Sequence, residues 1–240
     1  MSKLYVVGIG PGNPDSMTFR AKQAIDTAEV IAGYSTYIDL IRPLFPNKEY
    51  LVTAMRQETA RCQMAIECAK TRPTAMVSSG DAGVYGMASL LFELAEGQVD
   101  IEVIPGVTAA LSGAACLGAP LGHDFAVISL SDLLTPWETI EKRLRLAAQA
   151  DFCIAIYNPA SHKRADYLRR ASGILLECAS GDTICGVVRN IERDGEECHI
   201  LTLKELADFP ADMFTTVFIG NSKTRVIAGH MVTPRGYIHG

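Results

Sequence analysis

The stretch from Thr74 to Leu94 constrains what this chain can fold into more than any other. Thr74-Ala75-Met76-Val77 is a short apolar run, the pattern of a strand buried on both faces. Ser78-Ser79-Gly80-Asp81-Ala82-Gly83 interrupts it, and a second apolar run, Met87 to Leu94, predicts a helix. That order puts Asp81 at the carboxyl end of a strand, where open α/β sheets bind ligands. Two readings of the loop stand together. One is a tight turn in which Asp81 caps the helix. The other is a ligand loop whose Gly80 and Gly83 let the backbone approach a bound molecule.

The same alternation recurs along the chain. Leu4 to Val7 predicts a central parallel strand, followed by Gly8-Ile9-Gly10-Pro11-Gly12-Asn13. This loop is not a dinucleotide fingerprint. Its glycines fall as GxGxG, Pro11 lacks a backbone N–H, and Ala32-Gly33-Tyr34 offers no acidic residue at the end of the second strand. A nicotinamide site is therefore excluded. Ala21, Ala24, Ile25 and Ala28 form one apolar helix face, with Asp15 or Ser16 able to cap it. Val30 to Ala32 and Tyr50 to Thr53 predict strands, and Cys62, Ala65, Ile66 and Ala69 a further helical stripe. Arg56, Glu58 and Arg61, near or off that stripe, read as a solvated helix face. Ile101 to Ile104 is a strand broken by Pro105-Gly106, after which Thr108 opens a small-residue helix.

Gly118-Ala119-Pro120-Leu121-Gly122 is the best linker, giving α/β domains 1–118 and 119–240. Beyond it, Phe125 to Ile128, Phe152 to Ile156, Thr183 to Val188, Cys198 to Leu201 and Thr215 to Ile219 predict strands. Thr135-Pro136-Trp137-Glu138 reads as a capping box, and Lys163 to Cys178 as a helix. The first half predicts a parallel sheet. The second, with shorter spacings, predicts a mixed one.

Composition narrows the function classes. A net charge of -5 over 240 residues argues against general affinity for nucleic acid or acidic membranes. The seven cysteines are odd in number and none has CxxC spacing, so they read as free thiols in a reducing compartment rather than disulfides or zinc ligands. His123, His162, His199, His230 and His239 show no ligand spacing, so no protein metal site is expected. No apolar run is long enough to span a bilayer, and the N-terminus enters a strand directly. A cytoplasmic protein without a signal peptide is the expectation.

Five loops now stand in order: Gly8 to Gly12, Ser79-Gly80-Asp81, Pro105-Gly106-Val107-Thr108-Ala109, Tyr157-Asn158-Pro159 and Ile219-Gly220-Asn221. This set resembles the tetrapyrrole methyltransferases, the S-adenosylmethionine enzymes of cobalamin and sirohaem synthesis, from Leu4 to Tyr237. Gly118 to Trp137, GAPLGHDFAVISLSDLLTPW, and Met231 to Tyr237, MVTPRGY, look like the precorrin-3B C17-methyltransferase branch, leaning toward its cobalt-dependent form. The resemblance implies the tetrapyrrole methylase fold: two α/β domains with a cofactor cleft between them, commonly in a homodimer. It implies S-adenosylmethionine as cofactor and S-adenosylhomocysteine as product. The substrate would be cobalt-precorrin-3 or precorrin-3B, methylated at C17 with ring contraction to the precorrin-4 level.

Carried over residue by residue, the resemblance places Pro11, Ser79, Gly80, Asp81, Val84, Thr108, Ala109, Tyr157 and Asn158 around the cofactor, with Arg189, Asn190, Thr216 and Val217 as further contacts. The family usually has GDP where this chain has Gly80-Asp81-Ala82. Gly10 and Gly12 face the substrate side in the family, and Ser131 lies in the branch-specific stretch. Arg56, Arg189, Arg225 and Arg235 flank the matched loops and are candidates to meet the substrate's carboxylates. Ring contraction and lactone closure move protons, so His123 and Asp132 are candidate acid–base groups. Both also have bland readings: His123 as a linker residue bonded to backbone, and Asp132 as a loop stabiliser. Three alternatives stand: methylation at C11 or C20, a diphthamide-pathway methyltransferase, and a non-catalytic tetrapyrrole carrier. The stretch from Gly118 to Trp137 argues against the second, and intact cofactor loops against the third.

Overall fold

The computed structural model describes residues 2–161 and 164–237, and the chain divides into two compact units, Met1–Ala109 and Ala110–Gly240. The first unit holds strands β1 (Lys3–Gly8), β2 (Val30–Tyr34), β3 (Glu49–Thr53), β4 (Thr74–Ser78) and β5 (Asp100–Ile104). They form one sheet in the order β3-β2-β4-β1-β5, and every neighbouring pair is parallel. Helices α1 (Phe19–Thr27), α2 (Ser35–Ile41), α3 (Glu58–Ala69) and α4 (Ala88–Ala95) cover it. Leu4, Val6 and Met76 pack with residues of α3 and α4, while Val7, Ala75 and Val77 pack with residues of α1 and α2. Both faces of the central strands are thus buried, which is why β1 and β4 read as unbroken apolar runs.

Local chemistry departs from expectation at the start of α1. Thr18, not Asp15 or Ser16, caps it, its Oγ1 accepting the Ala21 N–H at 3.1 Å. Asp15 and Ser16 instead lie in a 3₁₀ turn, Pro14–Ser16, capped by Asn13. Arg61 is likewise not on a solvated face. It is 5 % exposed and donates from Nε to Thr53 Oγ1 at 2.6 Å and from Nη2 to the Ala54 carbonyl at 3.0 Å. Its hydrogen bonds tie α3 to the carboxyl end of β3.

The second unit begins within the first turn of α5 (Ala109–Leu117). A methyl on Gly113 would lie 2.9 Å from the Phe218 ring, and one on Gly186 would lie 2.3 Å from Leu117, so α5 packs deeply against this unit's own sheet. The division between units therefore falls at the start of α5, whereas the proposed linker at 118–122 follows its end. Gly118–Ala119 is itself a short strand, β6, pairing in parallel with β13 (His230–Val232), which pairs in turn with β12 (Arg225–Ile227).

The larger sheet of this unit comprises β7 (Phe125–Ser129), β8 (Cys153–Tyr157), β9 (Ile184–Arg189), β10 (Glu197–Thr202) and β11 (Thr215–Ile219), in the order β10-β9-β11-β8-β7. Only β7 and β8 pair in parallel, so the sheet is mixed, as the spacings predict. Helices α6 (Trp137–Gln149), α7 (Tyr167–Leu176) and α8 (Leu203–Leu206) complete it. Ile140 and Leu144 of α6 and Leu168 and Leu175 of α7 share a core with Ile156, Val187 and Val217. Lys163, the expected first residue of the helix that became α7, lies outside the described residues.

The capping box expected at Thr135 does not form. Pro136 occupies the cap position and no side chain caps α6, because the helix starts one residue later than the motif requires. A true capping box forms instead at Thr202 and Glu205, ahead of α8. Glu141 and Arg145, one turn apart on α6, pair at 3.0 Å. Gly173, exposed within α7, has nothing within 4 Å of an added methyl. Gly173→Ala should therefore stabilise the protein by about 0.5–1 kcal/mol, read as a small upward shift in thermal melting.

Candidate active site

In the first unit the site is made largely of backbone. Strands β4, β1 and β5 are neighbours and parallel, so their three following loops emerge side by side. The Ile9 N–H donates to the Ser78 carbonyl at 2.9 Å. Gly10 and Gly80 then exchange both hydrogen bonds, at 3.1 and 2.7 Å, in an isolated antiparallel bridge. Asp81 joins the third loop. Its Oδ1 accepts the Gly83 N–H at 2.7 Å and its Oδ2 the Gly106 N–H at 2.9 Å.

This fastening needs glycine. A methyl on Gly106 would lie 2.2 Å from the Gly80 carbonyl oxygen and 2.6 Å from Gly8, and one on Gly8 would lie 2.7 Å from the Gly106 nitrogen. Gly80 adds a positive φ of 67°. The structure thus brings Gly10, Gly80, Asp81 and the Pro105–Ala109 loop together, with Thr108 and Ala109 backbone atoms within 4 Å of a methyl on Gly80. Ser79 and Val84 flank them in the chain. Pro11 is buried and Gly12 half-buried. Arg56, in the β3–α3 loop, is exposed at a positive φ of 66°. Asp81 departs from the first reading of its loop only. It does not cap α4, and both oxygens are engaged by loop N–H groups, which makes it the fastener of the site.

In the second unit, the strand directions sort the candidates into two opposite edges. The carboxyl ends of β7, β8 and β9 and the start of β11 share one edge, bringing together Ser129 to Asp132, Tyr157-Asn158, Arg189-Asn190 and Thr215-Thr216. His123 precedes β7, so it lies a full strand away from Asp132, and the two do not form a pair. Ile219-Gly220-Asn221 also lies at that far edge, where Gly220 and Asn221 line a cavity of about 370 Å³ with Asp151 and Ser222. His123 is exposed, and its Nδ1 accepts the neighbouring Asp124 N–H at 2.9 Å.

At the near edge the side chains are linked. The Tyr157 hydroxyl accepts the Ala110 N–H at 2.7 Å, closing the first turn of α5. Asn158, at a left-handed φ of 53°, donates from Nδ2 to Ser129 Oγ at 2.9 Å. Ser129 Oγ also accepts the Ser131 N–H at 3.2 Å. Asn190, at φ 50°, donates to the Gly195 carbonyl at 3.3 Å. Arg189 is held by Glu197 at 3.2 Å and Asp212 at 3.4 Å. Its charge is therefore offset before any ligand arrives, whereas Arg225 and Arg235 are exposed. Val217 is fully buried in the sheet core and Thr216 is 5 % exposed.

Two residues that the sequence did not single out complete this edge. Arg164 donates to Ser131 Oγ at 2.8 Å and lies 3.5 Å from Asp132 Oδ1, and the Tyr167 hydroxyl donates to Asp132 Oδ2. Tyr167 packs against Trp137 with centroids 4.7 Å apart, and Arg170 lies over both rings. The Asp132 hydrogen bond and partial burial raise the Tyr167 phenol above its ordinary pKa. That bond thus contributes fully to folding below about pH 10 and is lost as pH rises through the folded value. Burial raises the Tyr50 phenol as well, so an ultraviolet titration should show more than one late-ionising phenol, and Tyr167→Phe should remove one of them. No signal in the sequence separates Arg164 and Tyr167 from other helix residues, because their partners lie more than thirty positions away in the chain.

A parallel sheet with glycine loops at its carboxyl edge, joined in one chain to a mixed sheet with its own polar edge, defines an α/β ligand-binding class. The chain belongs to the family described as Tetrapyrrole (Corrin/Porphyrin) Methylases, which matches residues 3–207. A relative from Salmonella typhimurium named "Probable cobalt-factor III C(17)-methyltransferase" is 47% identical over 238 residues, covering 98% of this chain and 99% of its own. "Cobalamin biosynthesis protein CbiHC" of Archaeoglobus fulgidus is also 47% identical over 98% of this chain, which spans only 53% of that relative's length. The crystal structure of "the methyltransferase CobJ" superposes with a TM-score of 0.91 at 38% identity, covering 98% of this chain and 100% of that one. Among the described residues, no helix is long and apolar enough to cross a membrane.

Proposed function

We propose that the chain transfers the methyl group of S-adenosylmethionine to C17 of a cobalt-precorrin-3 or precorrin-3B macrocycle, with ring contraction to the precorrin-4 level. The observation that carries this reading is near-full-length identity of 47% to a relative named for C(17) methylation of cobalt-factor III. The fastened loops of the first unit support it. A sulfonium is already a strong electrophile, so the protein has to align donor and acceptor and exclude water. Rigid, backbone-rich loops suit that task, and the Gly80–Asp81 and Thr108–Ala109 segments offer polar main-chain groups to the cofactor. Asn158, Asn190 and Thr216 add polar groups at the edge of the second unit, and Arg56, Arg225 and Arg235 are exposed charges for substrate carboxylates. The chain works as a homodimer, which light scattering tests.

Contraction expels the C20 meso carbon from the ring framework and closes a lactone, so protons must move. Asp132 serves this step through Tyr167 and Arg164, which hold it, and His123 takes no part. Asp132→Asn keeps the shape but cannot hold Arg164 by charge. In a single turnover with labelled donor it should lose roughly 10²–10⁴-fold in contraction while His123→Ala stays at the wild-type rate. Equal rates for all three proteins would leave Asp132 a loop stabiliser. Anaerobic incubation with cobalt-loaded and metal-free trimethylated precursors, followed by carbon NMR, tests the function itself. A label at C11 or C20 would move the activity to another ring position.

A further inference from the structure

Among the described residues, the ligand edges above leave one cluster of metal-ligating side chains in the second unit unused. Cys116 lies near the end of α5, Glu196 in the turn before β10, and Cys198 in β10. One ligand atom from each, two sulfurs and a carboxylate oxygen, lie within 4.8 Å of one another. Cys116 Sγ is 3.5 Å from Glu196 Oε2. Tetrahedral zinc, with bonds of about 2.3 Å to sulfur and about 2.1 Å to oxygen, holds its ligand atoms roughly 3.5–3.8 Å apart. We propose that Cys116, Cys198 and Glu196 form a binding site for a thiophilic divalent cation of the zinc class, with water in the fourth position.

Sequence spacing could not reveal this site, because its members are 80 and 82 positions apart (Cys116 to Glu196 and to Cys198) and are joined only by the fold. Two features of the surroundings favour a cation. Glu196 Oε2 also accepts the Glu192 N–H at 2.6 Å, which fixes the carboxylate as ligating groups are fixed in metal sites. Glu197 and His199 alternate to the other face of β10, where Glu197 pairs with Arg189 and His199 packs against Phe209, so Cys198 faces the cluster without them.

The register pairs Glu197 with Arg189 and Cys198 with Val188, so the site adjoins the Arg189–Asn190 turn. A cation there cross-links α5 to the β9–β10 hairpin and holds that turn in place. The site is independent of the methyltransferase reading.

The test uses the full chain, reduced and stripped with chelator, titrated anaerobically with cadmium and then competed with zinc. The expected result is one cadmium per chain with thiolate-to-metal charge-transfer absorption in the ultraviolet, displaced by zinc. Cys116→Ser and Cys198→Ser should each abolish the band, Glu196→Gln should weaken binding about tenfold or more, and Cys62→Ser should leave both intact. Melting in chelator checks that each variant is folded, and an alanine at the same position replaces any serine variant that melts early. Absence of the band in the wild-type protein, or its survival in either cysteine variant, overturns the proposal.

Discussion

Gly106→Ala should unfold the protein at a markedly lower temperature and abolish S-adenosylhomocysteine binding. The added methyl would sit 2.2 Å from the Gly80 carbonyl oxygen and 2.6 Å from Gly8. Both neighbours are backbone, held by the β1–β4 ladder and the Gly10–Gly80 bridge, so neither can rotate away as a side chain does. Overpacking of a fixed site costs about 1–3 kcal/mol, and backbone neighbours put this position at the upper end. For a chain of this size each kcal/mol lowers the melting temperature by about 2–4 °C, so the drop should approach 10 °C. Displacing the loop by about 1 Å is enough to cost roughly 10²-fold in function. Differential scanning calorimetry and ligand titration check both parts. A variant that melts and binds like wild type would show that the three loops are not packed as described.

Asp81→Ala should weaken S-adenosylhomocysteine binding about ten- to hundredfold, since a hydrogen bond to a charged group is worth about 1.5–3 kcal/mol. The route is through the loops. Without the carboxylate, the N–H groups of Gly83 and Gly106 lose their acceptor and the β4 and β5 loops are no longer tied. A second effect follows, which a residue contacting only the ligand would not produce: the ligand-free protein should itself melt earlier. Asp81→Asn keeps one oxygen acceptor but turns an NH₂ toward the other N–H, so it should recover only part of the loss. Isothermal calorimetry and melting of the same samples decide the matter. Unchanged affinity and unchanged melting in Asp81→Ala would sink the assignment.

The parallel sheet was legible because β1 and β4 are buried on both faces, and a short unbroken apolar run between glycine loops suits a central strand better than an edge strand or a surface helix. The mixed character of the second sheet showed in its spacing. Caps were less legible. Thr18 and Thr135 both stand near a helix start, and which of them caps is decided by a shift of a single residue that no pattern encodes. The candidate site divided the same way. Glycine loops at strand ends announce themselves in the sequence, whereas the partners of Asp132 do not. His123 and Asp132, nine positions apart, already flank the strand expected from Phe125 to Ile128, and extended chain at about 3.3 Å per residue carries them to opposite ends of β7. Arg61 was misread because charge alone suggests solvent, and only the fold shows Thr53 and Ala54 waiting for it.

The Gly10–Gly80 bridge also bears on the thermodynamics of recognition. Loops that order only when a ligand arrives lose conformational freedom at that moment, about 1–2 kcal/mol for each backbone residue fixed. Here the ends of β1 and β4 are hydrogen-bonded to each other, and Asp81 pins the end of β5 to them. Their disorder is already given up when the first unit folds. A ligand meeting this platform has little of its binding enthalpy cancelled by ordering the protein, and the geometry it meets is set in advance by the sheet rather than by the ligand.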